Sequence, residues 1–64
     1  MFKEHDIVRI KKDDPEHGVR DTYIGVIVDV LTPGLYTVEF MDENAETITK
    51  ALYRFYTDAE LVPA

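Results

Sequence analysis

Two apolar runs in the middle of the chain meet at Thr32-Pro33-Gly34, and their pattern predicts a β-hairpin. The first run, Tyr23–Leu31, is rich in β-branched residues, and the second, Leu35–Phe40, alternates apolar with polar positions. Successive side chains of a strand point to opposite faces of a sheet, so one face of each run should line the core.

Similar alternation indicates strands at both ends of the chain. Residues Asp6–Lys11 alternate well enough to predict a half-buried first strand, and Leu61-Val62 predicts a short last strand that Pro63 ends. Between the first strand and the hairpin, Lys12–Asp21 combines charges with a proline and a glycine, which is typical of a loop.

The segment after the hairpin is harder to assign. We expect a turn at Met41–Asn44 and a fourth strand from Ala45 to about Tyr53, although residues 50–56 fit a helical face as well as a strand face. Thr57 or Asp58 can cap a single helical turn that runs through Glu60 to the last strand.

One face of each predicted strand supplies the expected core. Gly25 lies inside the long second strand, where a glycine indicates a bulge or a close backbone approach, so we expect that strand to bend strongly. The predicted core consists of Val8, Ile10, Ile24, Val26, Val28, Val30, Tyr36, Val38, Phe40, Ile48 and Leu61.

Five short strands without a long helix or a repeat predict an all-β fold. We expect residues 1–64 to form a single domain, a small, partly open five-stranded SH3-like barrel with a short helical turn before the last strand. An OB-fold is the alternative architecture, but it normally needs more residues and a helix between strands three and four.

Composition narrows the function. A 64-residue chain buries only roughly 60% of its unfolded surface, and without cysteine it has no disulfide to add stability, so association with another protein or a homodimer is the expected support. Its formal charge of −6 disfavours contact with phosphate backbones. The chain has no apolar stretch long enough to span a bilayer and no signal-peptide pattern, so we expect a cytoplasmic location and no membrane partner.

Residues 6–10, 14–18, 25–30 and 36–40 together resemble a bacterial family of short stand-alone domains of unknown function. The resemblance covers nearly the whole chain and implies an SH3-like barrel. Some members look like the smaller partner of toxin–antitoxin-type pairs, which implies a protein that restrains another, toxin-like product of a neighbouring gene. The chain departs from this family between Ile48 and Leu61, where it is longer and more aromatic.

A more distant similarity links the chain to the barrel domain of the nitrile hydratase beta subunit. It rests on His17-Gly18, Gly25, the strand Tyr36–Phe40 and the ending Glu60–Ala64. In that subunit the barrel serves as a contact between subunits and carries no metal ligands, so the similarity implies a binding role.

No motif in the sequence predicts catalysis or a cofactor. His5-Asp6 and Glu16-His17 are adjacent pairs, and neighbouring side chains on a strand point apart, so we expect no metal site. The chain has no cysteine, no serine and no glycine-rich phosphate loop, so we expect that it is not an enzyme and has no catalytic residues.

Two kinds of binding surface are consistent with the sequence. Nucleic-acid binding is the alternative, because some SH3-like domains bind RNA and tyrosines such as Tyr23 and Tyr53 can stack on bases. The acidic residues between Asp13 and Asp21 argue against it, since they lie among the basic side chains that would contact phosphate. Those basic residues are Lys3, Arg9, Lys11, Lys12 and Arg20.

The preferred hypothesis is a protein-binding surface in the aromatic segment. Tyrosine and arginine are enriched at interface hot spots, and four large side chains in succession cannot all face inward. We therefore predict that Tyr53, Arg54 and Tyr56, together with Tyr23, contact a partner protein, and that Phe55 is the inward anchor of the segment.

Overall fold

The computed structural model describes all of residues 1–64. It contains five strands: β1 (Ile7–Ile10), β2 (Ile24–Thr32), β3 (Leu35–Met41), β4 (Phe55–Thr57) and β5 (Leu61–Pro63). The short helix α1 (Thr49–Leu52) and two 3₁₀ turns, Pro15–His17 and Asp58–Glu60, complete the secondary structure. No helix of the structure is long and apolar enough to cross a membrane.

The five strands form one antiparallel sheet in the order β4-β3-β2-β1-β5. This arrangement confirms the predicted all-β fold, a small five-stranded SH3-like barrel with a helical turn before the last strand. The edge strands β4 and β5 have three residues each and are joined only by the second 3₁₀ turn.

Local turn chemistry explains both connections predicted from the sequence. Pro33-Gly34 joins β2 to β3, and Gly34 has φ 88°, a left-handed conformation that glycine adopts without a steric penalty. The turn before β5 is closed by a capping box, because Thr57 and Glu60 exchange side-chain and backbone hydrogen bonds. Both predictions are confirmed.

The core lies on the concave face of the sheet. Six of the predicted core residues, contributed by β1, β3 and β5, are fully or almost fully buried, and Val26, Val30 and Ile48 are half-buried. The alternating strands therefore have the predicted phase. The buried apolar residues are Val8, Ile10, Val19, Ile27, Tyr36, Val38, Phe40, Ala51, Tyr56 and Leu61.

The predicted phase of β2 is wrong from Ile24 to Val28, although Val30 packs against the core as predicted. Gly25 and Ile27 face the core, while Ile24 and Val28 are 40% and 41% exposed. A Cβ atom on Gly25 would lie 2.7 Å from the Phe40 ring, so only glycine lets β2 approach β3 this closely. The register then shifts between Ile27 and Asp29 and again between Val30 and Thr32, so two bulges bend the strand.

The predicted fourth strand at Ala45–Tyr53 is also wrong. The chain forms one isolated bridge between Met41 and Thr47 and then the short helix α1, whose Ala51 is buried. A helix forms here instead of a strand because one helical turn can bury Ala51 while leaving Thr49 and Lys50 in solvent. The fourth strand, β4, begins only at Phe55.

The observed phase of β2 makes opposite predictions for two neighbouring residues. Ile27→Ala should destabilise the fold by about 3 kcal/mol, because it leaves a cavity at a fully buried site. Val28→Ala should cost about 1 kcal/mol or less, because this side chain is exposed. Urea unfolding followed by circular dichroism measures both free energies, and equal losses would contradict this phase.

Candidate functional site

The aromatic segment 53–56 places alternate side chains on opposite sides of β4. Tyr56 pairs with Tyr36 of β3 and is fully buried, whereas Phe55 is 53% exposed and Tyr53, just before the strand, is 85% exposed. The predicted roles of Phe55 and Tyr56 are therefore wrong: Tyr56 is the inward anchor and cannot contact a partner, and Phe55 lies on the surface. The strand alternation leaves no other arrangement once Tyr56 points inward.

Tyr56 is fixed by three different contacts. Its ring packs edge-to-face on Phe40 with a centroid separation of 5.2 Å, and its hydroxyl donates to Asp14 Oδ2 at 3.0 Å. The guanidinium carbon of Arg54 lies 4.2 Å from the ring centroid, within the range of a cation–π contact. The buried hydroxyl is thus satisfied, and the orientation of β4 is fixed from both sides.

Arg54 belongs to an internal ion-pair network. Its Nη1 donates to Asp14 Oδ2 at 3.1 Å, and its Nη2 donates to Glu60 Oε2. The side chain is 30% exposed, but both ends of its guanidinium fork already have carboxylate partners. Arg54 therefore positions the aromatic segment; the structure does not leave it as the free anchor that we predicted.

Asp14 is the common acceptor of this network. Besides Tyr56 and Arg54, it accepts a hydrogen bond at 2.9 Å from Nδ1 of His17, on the first 3₁₀ turn. Burial raises the pKa of Asp14, but the hydrogen bonds from His17 and Tyr56 and the nearby charges lower it more, so the net pKa lies below its ordinary value. The carboxylate is therefore held ionised.

Glu60 completes the network from the second 3₁₀ turn. Its Oε1 accepts the backbone N–H and the hydroxyl of Thr57 at 3.1 and 3.2 Å. Burial raises the pKa of Glu60, but the Arg54 hydrogen bond and the Thr57 N–H lower it to a net value below the ordinary one. The pKa of Tyr56 is also raised, to about 12, mainly by burial. Arg54 lowers this pKa and Asp14 raises it.

A shallow groove of about 490 Å³ lies beside this network, between the loop after β1 and the second 3₁₀ turn. Arg54 and Glu60 form part of its wall, and the other charged residues that line it come from the loop. Side chains of both signs of charge line the groove. The charged loop residues are Lys11, Lys12, Asp13, Asp14 and Glu16.

Tyr23 lies apart from the network. It is half-buried, packs against the core and has its hydroxyl beside Glu43, whose hydrogen bond raises the pKa of Tyr23.

The two histidines do not lie together, because His17 contacts Asp14 and His5 is exposed in a turn with φ 74°. No group of three or more acidic or histidine side chains is arranged to hold a metal ion.

Sequence reasoning missed three members of the network, Asp14, His17 and Glu60. One signal was present, since Asp14-Pro15-Glu16-His17-Gly18 places an acid three residues before a histidine in a tight turn. The partnership of Asp14 with Arg54 spans 40 residues, and no local pattern predicts it.

Fold and site together define a small all-β barrel domain whose first loop is tied to the β4 segment by the partly buried carboxylate of Asp14. The model of the family described as Domain of unknown function (DUF4926) matches residues 4–52, and the chain belongs to this family. The match confirms the resemblance to a family of unknown function, and it ends just before Tyr53. No curated protein and no solved structure matches the chain.

The lowered pKa values of Asp14 and Glu60 predict how stability changes with pH. In the unfolded chain these carboxylates have their ordinary pKa values of 3.8 and 4.5, so on acidification the unfolded state binds protons before the folded state does. Their stabilisation of the fold is therefore complete above about pH 5 and is lost as the pH falls through the lowered pKa values of the folded state. Asp14→Asn should cost about 2 kcal/mol at pH 5 and much less at pH 3.

Urea unfolding of the wild type and Asp14→Asn at pH 5, 4 and 3 measures this difference. Glu46→Gln changes an exposed carboxylate outside the network and serves as the control, which should follow the wild type at every pH. A gap between wild type and Asp14→Asn that stays constant down to pH 3 would show that folding does not lower the pKa of Asp14 and would contradict this account.

Proposed function

We propose that this chain is a non-catalytic module that binds another protein through Tyr53 and Phe55, which we call the aromatic edge. The observation that carries the proposal is the exposure of these two large rings, 85% and 53%, on either side of a residue held by internal ion pairs. Tyrosine and phenylalanine are enriched at protein interfaces, because they bury a large area at a low entropic cost.

Preorganisation supports this role. Arg54 and Tyr56 are fixed by contacts with Asp14, so the backbone between Tyr53 and Tyr56 is held in place before any partner arrives. A partner that covers the aromatic edge then has to immobilise two side chains and no loop, which reduces the entropic cost of association.

The open side of β4 supports it further. The Thr57 N–H donates to the Glu60 side chain, so this position faces away from β3. Backbone groups alternate in direction along an antiparallel edge, and Phe55, two residues earlier, therefore also presents its N–H and C=O to the open side. An extended segment of a partner could form hydrogen bonds there while contacting the aromatic edge.

Charge indicates the kind of partner. With a formal charge of −6 the chain favours a neutral or basic protein and repels a phosphate backbone. The resemblance to antitoxin-like members, and more distantly to the subunit-contact barrel of nitrile hydratase, supports an inhibitory or accessory role toward another protein. We place this role in the cytoplasm, with the product of a neighbouring gene as the first partner to test.

Tyr53→Ala combined with Phe55→Ala should reduce retention of that gene product by about tenfold or more when the two proteins are co-expressed and purified through this chain. The double variant should keep a melting transition close to that of the wild type, because both rings are largely in solvent. Val62→Ala serves as the control, because it alters an apolar residue in β5, on the opposite edge of the sheet.

Undiminished retention by the double variant would show that the aromatic edge is not the contact surface. Nucleic-acid binding is the competing function, and it would give micromolar affinity for mixed single- or double-stranded nucleic acid that falls steeply between about 50 and 200 mM salt. Such binding would contradict the proposal, since we expect none even at the lower salt concentration.

A further inference from the structure

The convex face of the sheet carries a cluster of exposed aliphatic side chains that the proposed function does not use. Cross-strand partners share a face of the sheet, and Ile7 lies opposite Val26 while Ile24 lies opposite Met41. Val28, at the first bulge of β2, is exposed next to Asp29. We call this set the aliphatic face: Ile7, Ile24, Val26, Val28 and Met41.

This face differs from the usual outer surface of an antiparallel sheet. A sheet with one face on the core normally has polar residues on the other face, yet Ile7, Ile24 and Val28 are 45%, 40% and 41% exposed. Single exposed apolar residues are ordinary, but here neighbours on three adjacent strands, β1, β2 and β3, form one contiguous patch.

The charges around the patch are mostly acidic. Glu39 lies directly opposite Val26, Asp29 follows Val28, and Asp42 and Glu43 follow Met41. One basic residue, Arg9, lies on the same face, two residues after Ile7 on β1 and beside Ile24 in the β1–β2 register. The ion pairs of the chain involve Asp14, Asp58 and Glu60, so neither Glu39 nor Asp29 has a cationic partner within the molecule.

This charge pattern indicates which kind of molecule can bind the aliphatic face. A second copy of the chain would place acidic rims against each other with −6 on each copy, which opposes a homodimer through this face. A protein segment with an apolar centre flanked by lysine or arginine would complement both the patch and its rim. Glu39, which accepts a hydrogen bond from Thr47 and lies on β3 opposite Val26, is placed to pair with such a cation.

The dimensions of the patch indicate the form of that segment. Three strands at a spacing of about 4.8 Å and a stretch of five residues along β2 give an area of about 10 by 13 Å. Two turns of an α-helix are about 11 Å long and present an apolar stripe of similar size. A helix fits better than an extended chain, because β1 and β3 already pair with both sides of β2.

We propose that the aliphatic face binds a basic amphipathic helix of a partner protein, with its apolar stripe on Ile24 and Val28 and its cations toward Glu39 and Asp29. This inference rests on the proposed function, because it names the chemistry of a partner that the module binds. It adds a second contact, independent of the aromatic edge, on the same side of the sheet as Phe55, which lies opposite Thr37.

Two synthetic helical peptides test the proposal. Both carry leucine at positions i, i+3, i+4 and i+7, and their remaining positions are lysine and alanine in one peptide and glutamate and alanine in the other. In nitrogen-15 NMR titrations of the full chain, the lysine peptide should shift the amide signals of Ile7, Ile24–Val28 and Met41, and the glutamate peptide should not bind.

Ile24→Thr combined with Val28→Thr should lower the affinity of the chain for the lysine peptide by about tenfold. Threonine keeps a branched β-carbon and a strand preference, and a dispersed NMR spectrum checks that the variant is folded. Leu31→Thr is the matched control, because Leu31 is an equally exposed residue of β2 outside the aliphatic face, and it should leave the affinity unchanged.

Three outcomes would overturn the proposal. If the lysine peptide binds the double threonine variant with unchanged affinity and shifts only amide signals of acidic loops, its binding is due to charge attraction alone. Equal binding of the glutamate peptide would remove the role of the acidic rim. Concentration-dependent shifts of the free chain that the double variant abolishes would assign the face to a second copy.

The same variants separate this inference from the proposed function. If Ile24→Thr with Val28→Thr retains the neighbouring gene product while Tyr53→Ala with Phe55→Ala loses it, the module binds through the aromatic edge and the aliphatic face is not involved. If only the threonine variant loses the partner, the aliphatic face is the contact surface and the aromatic edge is not.

Discussion

The carboxylate of Asp14 holds together parts of the chain that are 40 and 42 residues apart. It accepts hydrogen bonds from Arg54, Tyr56 and His17 while only 14% of its side chain is exposed, so an unpaired charge at this place would be costly. The first loop and β4 depend on each other through this one group. A chain of 64 residues without a disulfide gains from such a cross-link, because its apolar core alone is small.

The orientation of the aromatic segment follows from that interaction. Drawing the Tyr56 hydroxyl to Asp14 turns its ring into the core against Phe40 and turns the neighbouring Phe55 outward. Arg54 packs on the Tyr56 ring and forms ion pairs with Asp14 and Glu60, which fixes the backbone just before β4. The exposed rings of the proposed binding surface are thus a consequence of a partly buried electrostatic contact.

Sequence pattern predicted most of the architecture and little of the site. Alternation from Val8 to Lys11 and from Tyr36 to Phe40 predicted the phase of β1 and β3, and Pro33-Gly34 located the hairpin. In β2 the residues from Ile24 to Val28 carry no polar side chain, so no alternation shows which face is buried. The close approach of Gly25 to Phe40 decides it, and that contact is tertiary. For Phe55 and Tyr56 either phase is apolar, and the choice depends on Asp14, far away in sequence.

The two proposed binding surfaces share one side of the sheet, because Phe55 lies opposite Thr37 on the same face as the aliphatic residues. Both depend on strand phases that simple alternation does not give, and the phase of β4 is the one that the Asp14 network controls. The account therefore requires that Tyr56 is inside and Tyr53 outside in the folded chain.

Photochemically induced nuclear polarisation of tyrosine rings tests this requirement most directly, because a dye in solution polarises only rings that it can reach. With signals assigned through single Tyr→Phe variants, we predict a strong signal from Tyr53, a weaker one from the half-buried Tyr23, and none from Tyr36 or Tyr56, which are fully buried. A polarised Tyr56 together with a silent Tyr53 would contradict the account.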